Sequence, residues 1–356
     1  MNITINDNQY EAEAGQTILD VARENGIYIP TLCYNPHLSI TGACRICVVE
    51  DVENDTLVAS CHTPVRDGMK LKTESPRVVE ARKTIIDLLI SDHPLDCMTC
   101  EQDGNCELQD LAYRYGIKET SFEINEEEKT RFEIQSKNEF IEVDPNKCIL
   151  CTKCIRVDHE VQCANAIDLT ERGFQTKVDT AFEGGLGADY SDCVFCGQCV
   201  EMCPTGALSY KPSKGKGREY DFEKVTTTCA YCGVGCQLEL KVKDNEIVEV
   251  GSVYEEGTPN PDGESCVKGR FGYEFINNPD RLKKPLIKRD GEFEEAEWDE
   301  ALDYVADNFS RIRDQYGGKQ TAALSSARCT NEENYLSQKF MRAVMGTNSV
   351  EHCARL

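Results

Sequence analysis

The chain has 356 residues, 40% of them hydrophobic, with a formal charge of −24 from 63 acidic and 39 basic residues. That length exceeds one ordinary domain, and the acidity excludes a phosphate-binding nucleic-acid face. The start, Met1 to Asp7, has neither a basic nor an apolar run, no twin-arginine pair follows, and no stretch approaches the ~18 apolar residues of a membrane span, so a cytoplasmic location is expected.

The dominant feature is 21 cysteines. Without a leader, and with Cys-x-x-Cys repeated along the chain, metal is expected rather than disulfides. Eighteen of them fall into sets with iron–sulfur spacing, implying about five clusters. Small domains of this kind substitute bound metal for apolar core.

Residues 1–78 read as a small β-rich domain. Ile3 and Ile5 alternate with polar residues, Asp7-Asn8 makes a turn, and Thr17 with Asp20 forms a capping box for a helix ending near Gly26. This order resembles the β-grasp fold of plant-type ferredoxins. Cys33, Cys44, Cys47 and Cys61 follow, spaced more widely than the plant pattern. Their spacing resembles the [2Fe–2S] domain at the front of the complex I large electron-transfer subunit. Zinc is the competing occupant, but its ligands usually come as two close pairs. His37 and His62 are assigned no role.

Residues 79–120 follow a helix that Ser75-Pro76 starts, cap then N1 proline, and that runs to about Ile90. His93, Cys97, Cys100 and Cys106 come next. One histidine with three cysteines at this spacing resembles the mixed [4Fe–4S] site of the same relatives. A neutral imidazole in place of a thiolate raises the potential. The acidic segment 121–140, with Glu126, Glu127 and Glu128, reads as a solvated connection or edge hairpin.

Residues 138–212 carry Cys148, Cys151 and Cys154, then Cys193, Cys196, Cys199 and Cys203-Pro204. The second run is the bacterial two-cluster ferredoxin signature, in which the fourth cysteine ligates the other cluster. Cys203 should therefore join the first triad. By symmetry the fourth ligand of the second cluster lies four residues after Cys154, where the residue is Asp158. Asp158 ligation is expected, since a carboxylate can bind iron, though less softly than thiolate. Cys163, a three-iron cluster and an absent cluster are the alternatives.

The segment 211–219, rich in Lys and Gly, reads as a flexible basic linker. In residues 222–280, Cys229, Cys232, Cys236 and Cys266 with their intervening residues resemble the N-terminal [4Fe–4S] domain of molybdenum or tungsten bis-pterin oxidoreductases. In that family a lysine two residues past the fourth cysteine lies between cluster and pterin, which makes Lys268 the candidate relay. Residues 281–356 change to longer α/β elements: an amphipathic helix from Trp298 to about Tyr316, a short buried strand at Ala322–Leu324, and a helix capped by Thr330 and Glu333 that runs to about Gly346. No GxGxxG is present. The expected fold class is α+β multidomain: β-grasp [2Fe–2S] domain, mixed-ligand [4Fe–4S] domain, two-cluster ferredoxin-like domain, then the [4Fe–4S] domain and start of the α/β domain of a molybdopterin oxidoreductase.

Ser325 to Tyr335, Gln338 to Phe340, Gly346 to Asn348 and His352 to Leu356 resemble the alpha subunit of cytoplasmic formate dehydrogenases. The resemblance implies a bis-molybdopterin guanine dinucleotide holding molybdenum or tungsten, and interconversion of formate and carbon dioxide. It implies that electrons enter at the Cys229 set and leave singly through the ferredoxin-like clusters, the His93 cluster and the [2Fe–2S] cluster. The implied partners are flavin subunits handling NAD or NADP, or hydrogenase or ferredoxin-linked assemblies, in a hetero-oligomer. In the family the residue after Cys353-Ala354-Arg355-Leu356 ligates the metal, as cysteine or selenocysteine. A much longer protein is therefore expected, with a UGA selenocysteine codon or a fragment boundary after Leu356. Cys353 would lie beside the metal without ligating it, and Cys329 is expected to be a small buried residue. Competing readings are the electron-transfer subunit of a complex I-like NADH dehydrogenase, an iron-only hydrogenase subunit, and an electron-transfer protein without catalysis.

Overall fold

A computed structural model describes residues 1–125 and 127–352. Strands β1 (Asn2–Ile5) and β2 (Asn8–Glu11) form a hairpin whose turn residues, Asn6 and Asp7, both take positive φ, as a two-residue turn requires. The helix α1 (Ile18–Glu24) begins at the Thr17/Asp20 capping box, with both reciprocal bonds made. Strands β3 (Val48–Asp51), β4 (Thr56–Ala59) and β5 (Lys70–Lys72) complete a five-stranded sheet in the order β2-β1-β5-β3-β4. Only β1 and β5 run parallel. Ile3, Ile5, Ile18, Leu19, Val49 and Leu71 pack its core, and Cys47 and Cys61 lie within that core.

Helix α2 (Pro76–Ser91), capped by Ser75, packs on α3 (Glu107–Tyr115). Ile86, Ile90, Leu108, Leu111 and Tyr115 share a core there with Leu32 and Ile46 of the cysteine loop. The fully buried Arg82 of α2 donates to Glu74, to the Tyr115 hydroxyl and to the Val48 carbonyl. It thereby ties α2 and α3 to the strand just after Cys47.

Strand β6 (Ile141–Val143), helix α4 (Lys153–Arg156), strands β7 (Asp168–Thr170) and β8 (Lys177–Asp179), helix α5 (Gln198–Glu201) and strand β9 (Leu208–Tyr210) follow. β6 pairs with β9 and β7 with β8, all antiparallel. Each one-turn helix carries the third cysteine of a triad, so the two halves repeat. The backbone repeats as well. Leu150 and Thr152 take positive φ in the first triad, Phe195 and Gly197 at the matching places in the second. A β-branched residue in the left-handed region is strained, and two such turns curl each loop around a common point.

The segment 211–219 is pinned rather than flexible. Lys211 bonds the carbonyls of Ser136 and Asn138, Lys214 pairs with Glu142, and the Arg218 guanidinium reaches the carbonyls of Met98 and Cys100. Strands β10 (Glu223–Thr228), β11 (Gln237–Lys243) and β12 (Glu246–Ser252) form an antiparallel meander against α6 (Val267–Phe271). A hairpin of β13 (Leu286–Arg289) and β14 (Glu292–Glu295) precedes α7 (Trp298–Tyr316), β15 (Ala323–Ser325), α8 (Asn331–Phe340) and β16 (Val350–His352), which pairs parallel with β15.

Two expectations fail in this last part. The strand at Ala323–Ser325 is not buried, Leu324 being 86% exposed, and Cys329 is exposed. Helix α7 buries no side chain. Cys353, Ala354, Arg355 and Leu356 lie outside the described residues. Among the described residues no helix is long and apolar enough to cross a membrane.

Candidate metal centres

Four loops and one β-meander present the thiols. In the first, Cys33, Cys47 and Cys61 are buried and Cys44 half-buried. The side chains interact pairwise, Cys44 with Cys33 and Cys61 with Cys47. The Cys44 thiol holds Cys33 down at about 5, and the Cys61 thiol holds Cys47 down at about 6, against burial that works the other way. Their partners are pushed up by the same interactions. Four thiols gathered on this loop, three of them buried, are a donor set that would suit a small iron–sulfur cluster.

In the second, His93 follows the end of α2 and is buried. Its Nδ1 bonds the Pro94 carbonyl at 2.7 Å, while Nε2 is buried without any hydrogen-bond partner. An orphaned ring nitrogen is unfavourable in an apolar interior, but the bond at Nδ1 fixes the tautomer that offers Nε2 to a metal. Burial also lowers the pKa of His93, which keeps the ring neutral. Cys97 and Cys100 face one another across a short turn, and Cys106 stands at the start of α3, raised to about 11 by burial. A side chain at Gly206, two residues past Pro204, would collide with the Cys100 sulfur. Lys147 pairs with Asp96 at 2.9 Å and faces Cys100.

In the third, Cys148, Cys151, Cys154 and Cys203 line one mainly apolar cavity with Val143, Ile149 and Pro204. Burial raises Cys148 and Cys151 to about 12 and Cys154 well beyond its ordinary value. Buried thiols of this kind ionise only when a cation compensates them. The backbone N–H of Leu150 already points at the Cys148 sulfur.

In the fourth, Cys193, Cys196 and Cys199 line a second cavity together with Asp158, Ile167 and Leu186. Cys163 does not line it and is exposed. Asp158 sits in a π-helical turn, and its Oδ2 accepts from the backbone N–H groups of Ala166 at 2.7 Å and Ile167 at 3.3 Å. Burial raises its pKa, opposed by those two amides. The carboxylate is thus oriented beside three thiols in a desolvated space.

In the fifth, Cys229 and Cys236 are half-buried at one end of the meander, tied by a 2.8 Å backbone bond, while Cys232 and Cys266 are exposed. Lys268, in α6, is exposed. Among the described residues no three His, Cys, Asp or Glu side chains converge on a point that would hold one metal ion. A cluster needs no such point, because each of its irons takes its own ligands.

Contacts between sets exceed what spacing foretells. Cys106 lies near Cys203, and Cys154 near Cys199. The buried Arg156 of α4 donates to the carbonyls of Cys33 and Cys151, so the first loop adjoins the third directly, not only through the His93 set. The buried Arg270 of α6 donates to the Cys196 carbonyl at 3.3 Å. His37, assigned no role from sequence, places Nδ1 2.6 Å from Asp262 and joins the first domain to the fifth site's domain.

Five family descriptions match in chain order. They are a 2Fe–2S iron-sulfur cluster binding domain over residues 1–76, the NADH-ubiquinone oxidoreductase-G iron-sulfur binding region over 82–121, and the ferredoxin-like domain of NADH-quinone oxidoreductase subunit 3 over 138–209. The molybdopterin oxidoreductase Fe4S4 domain over 222–278 and the molybdopterin oxidoreductase domain over 281–356 complete the series. The chain joins iron–sulfur domains to the start of a molybdopterin oxidoreductase domain. It is 40% identical over 357 residues to the NADPH-Fe(3+) oxidoreductase subunit alpha of Geobacter sulfurreducens, covering 100% of this chain and 40% of the relative. It is 38% identical over 355 residues to an NADH-quinone oxidoreductase subunit of Rhizobium meliloti, with 100% and 40% covered. A protein of Staphylococcus haemolyticus named "Putative formate dehydrogenase" is 31% identical over 392 residues, with 99% and 39% covered. The chain therefore spans about 40% of the length of these relatives. A crystal structure of an NAD+-reducing [NiFe]-hydrogenase aligns with a TM-score of 0.54 and 29% identity, over 61% of this chain and 89% of that one.

Proposed function

We propose that this chain is the electron-transfer part of a formate dehydrogenase alpha subunit. It conducts single electrons between a molybdenum or tungsten bis-pterin site of the whole protein, where formate and carbon dioxide interconvert, and a partner flavin, NAD(P)-linked or hydrogenase-type subunit in the cytoplasm. The units are residues 1–78, 79–120, 138–212, 222–280 and 281–356. One [2Fe–2S] cluster would be held by Cys33, Cys44, Cys47 and Cys61. Four [4Fe–4S] clusters would be held by His93 with Cys97, Cys100 and Cys106; by Cys148, Cys151, Cys154 and Cys203; by Cys193, Cys196, Cys199 and Asp158; and by Cys229, Cys232, Cys236 and Cys266. When bound, the clusters supply one-electron storage at each station. The protein supplies desolvation, N–H donors such as Leu150, and the separation between stations.

The observation that carries the proposal is the contiguity of the sets, from the Cys229 domain through Arg270 to Cys196, then Cys199 to Cys154, and from there to both the His93 set and the Cys33 loop. Lys268 would relay between the last cluster and the pterin. Formate-dependent dye reduction by the whole protein, with metal analysis, tests it. The expected result is dye reduction with molybdenum or tungsten at one per chain; dye reduction by NADH or NADPH but not formate would refute the substrate. That outcome belongs to the second reading, an NAD(P)H-linked subunit, favoured by the 40% and 38% identities to the Geobacter and Rhizobium proteins.

A further inference from the structure

Arg156 is 7% exposed, and no carboxylate pairs with it among the described residues. The other two buried arginines differ: Arg82 has Glu74 at 2.8 Å and Arg270 has Glu201 at 3.7 Å. An unpaired buried guanidinium is costly. Its donors are nevertheless specific. Nη1 reaches the Ser39 carbonyl at 2.5 Å, Nη2 reaches the carbonyls of Cys33 at 2.5 Å and Cys151 at 3.2 Å, and Nε lies 3.3 Å from the Thr152 hydroxyl. Two of these acceptors belong to cysteines of two different sets, 118 residues apart in sequence by their numbers.

Further polar contacts cross the same seam. Glu160, one turn on, takes the N–H and hydroxyl of Ser39, and Asn35 donates to the Met202 sulfur at 3.2 Å. Glu160 is held by Ser39 and forms no ion pair with Arg156 among the described residues. The four hydrogen-bond acceptors of Arg156 are all neutral oxygens, three carbonyls and one hydroxyl.

Resting on the electron-transfer reading above, we propose that Arg156 is a shared counter-charge and positioning residue for two adjacent stations, the Cys33/Cys44/Cys47/Cys61 cluster and the Cys148/Cys151/Cys154/Cys203 cluster. A four-thiolate cluster of either kind is dianionic when oxidised and trianionic after taking one electron. One fixed positive charge between two such groups stabilises each reduced form, and it softens the repulsion when both are reduced. With both clusters bound, an electron would pass from one to the other, one being oxidised as the other is reduced. No bond is made or broken at Arg156. Because it grips the backbone of both ligand loops, it also fixes their separation.

The test is a redox titration followed by EPR on the cluster-loaded protein and on Arg156→Gln and Arg156→Lys. In Arg156→Gln the midpoints of both clusters should fall together. The reduction equilibrium should move at least tenfold at each, which is 59 mV for a one-electron couple, with the Cys229-set cluster unmoved and iron and sulfide content unchanged. Arg156→Lys, keeping the charge without the fork, should restore both midpoints to within about threefold of wild type. Unchanged midpoints in Arg156→Gln, or a Lys variant shifted as far as the Gln variant, would overturn the counter-charge role. If Arg156→Gln fails to retain clusters, Arg156→Lys decides alone: wild-type midpoints support the proposal, and a tenfold fall overturns it. Failure of the electron-transfer reading itself would look different, since the wild-type protein would then show no [2Fe–2S] and [4Fe–4S] signals to titrate.

Discussion

Replacing His93 by cysteine is the sharpest perturbation of an individual station. The structure offers Nε2 as a neutral, buried donor with no protein partner, and holds the ring by its 2.7 Å bond from Nδ1 to the Pro94 carbonyl. A cysteine would put a thiolate in that coordination position and add one negative charge. At about 6 Å from the iron core and an effective dielectric constant near 20, one charge costs the reduced form about 3 kcal/mol. That is roughly two powers of ten in the reduction equilibrium, or ~120 mV for one electron. The direction follows the general effect of exchanging imidazole for thiolate. Cysteine is shorter than histidine, so the turn must move inward, and the half-exposed Leu95 beside it leaves room for that. Titration by EPR in His93→Cys and wild type reads the shift, with the other clusters as internal references. His93→Ala should instead lose the fourth ligand and retain less iron at that site alone. A His93→Cys protein with its full iron content and no fall in any midpoint would refute ligation by His93.

At the second ferredoxin-like site, Asp158→Ala should convert the cluster to a three-iron form with its own EPR signal, Asp158→Cys should retain four irons, and Cys163→Ser should match wild type. A three-iron signal in Cys163→Ser, with Asp158→Ala unchanged, would exchange the roles of the two residues. Arg82→Met leaves the Val48 carbonyl and Tyr115 hydroxyl without their donor, which should cost about 2–3 kcal/mol and lower the urea midpoint; an unchanged midpoint counts against the tie. Burial pushes Glu219 up, but Lys224 at 2.5 Å and Lys241 at 2.9 Å outweigh it and hold the carboxyl below its ordinary 4.5. A depressed carboxylate adds stability above its unfolded value and loses it as pH falls through the folded value. Thermal stability should therefore drop below about pH 4.5, and less steeply in Lys241→Met; identical acid profiles would contradict this.

The candidate sites were legible in the sequence because the cysteine sets come largely as local spacings. The triads Cys148/Cys151/Cys154 and Cys193/Cys196/Cys199 each lie within one short loop, and the capping boxes at Thr17 and Thr330 formed as their side chains imply. The symmetry of the two triads singled out Asp158, and the cavity that it lines with Cys193, Cys196 and Cys199 leaves out Cys163. The joints between sites were not readable. Arg156 meets Cys33 across 123 residues and His37 meets Asp262 across 225, and nothing local in an arginine after a cysteine tells which distant carbonyl it will bond. The linker at 211–219 looked flexible because lysine and glycine usually are, yet its bonds to Ser136, Asn138, Glu142 and Cys100 hold it down. Leu324 and Cys329 read as buried because apolar character marks what seeks cover, not whether a covering layer is present.

The central claim is that five ligand sets hold clusters of two kinds in one conducting series. Mössbauer spectroscopy of the 57Fe-loaded protein, reduced stepwise and paired with EPR, tests it most directly. The account predicts one two-iron and about four four-iron centres, each taking up a single electron, with one four-iron centre distinguished by its histidine ligand. Zinc in place of iron at the Cys33 set, or iron present as only one cluster type, would contradict it.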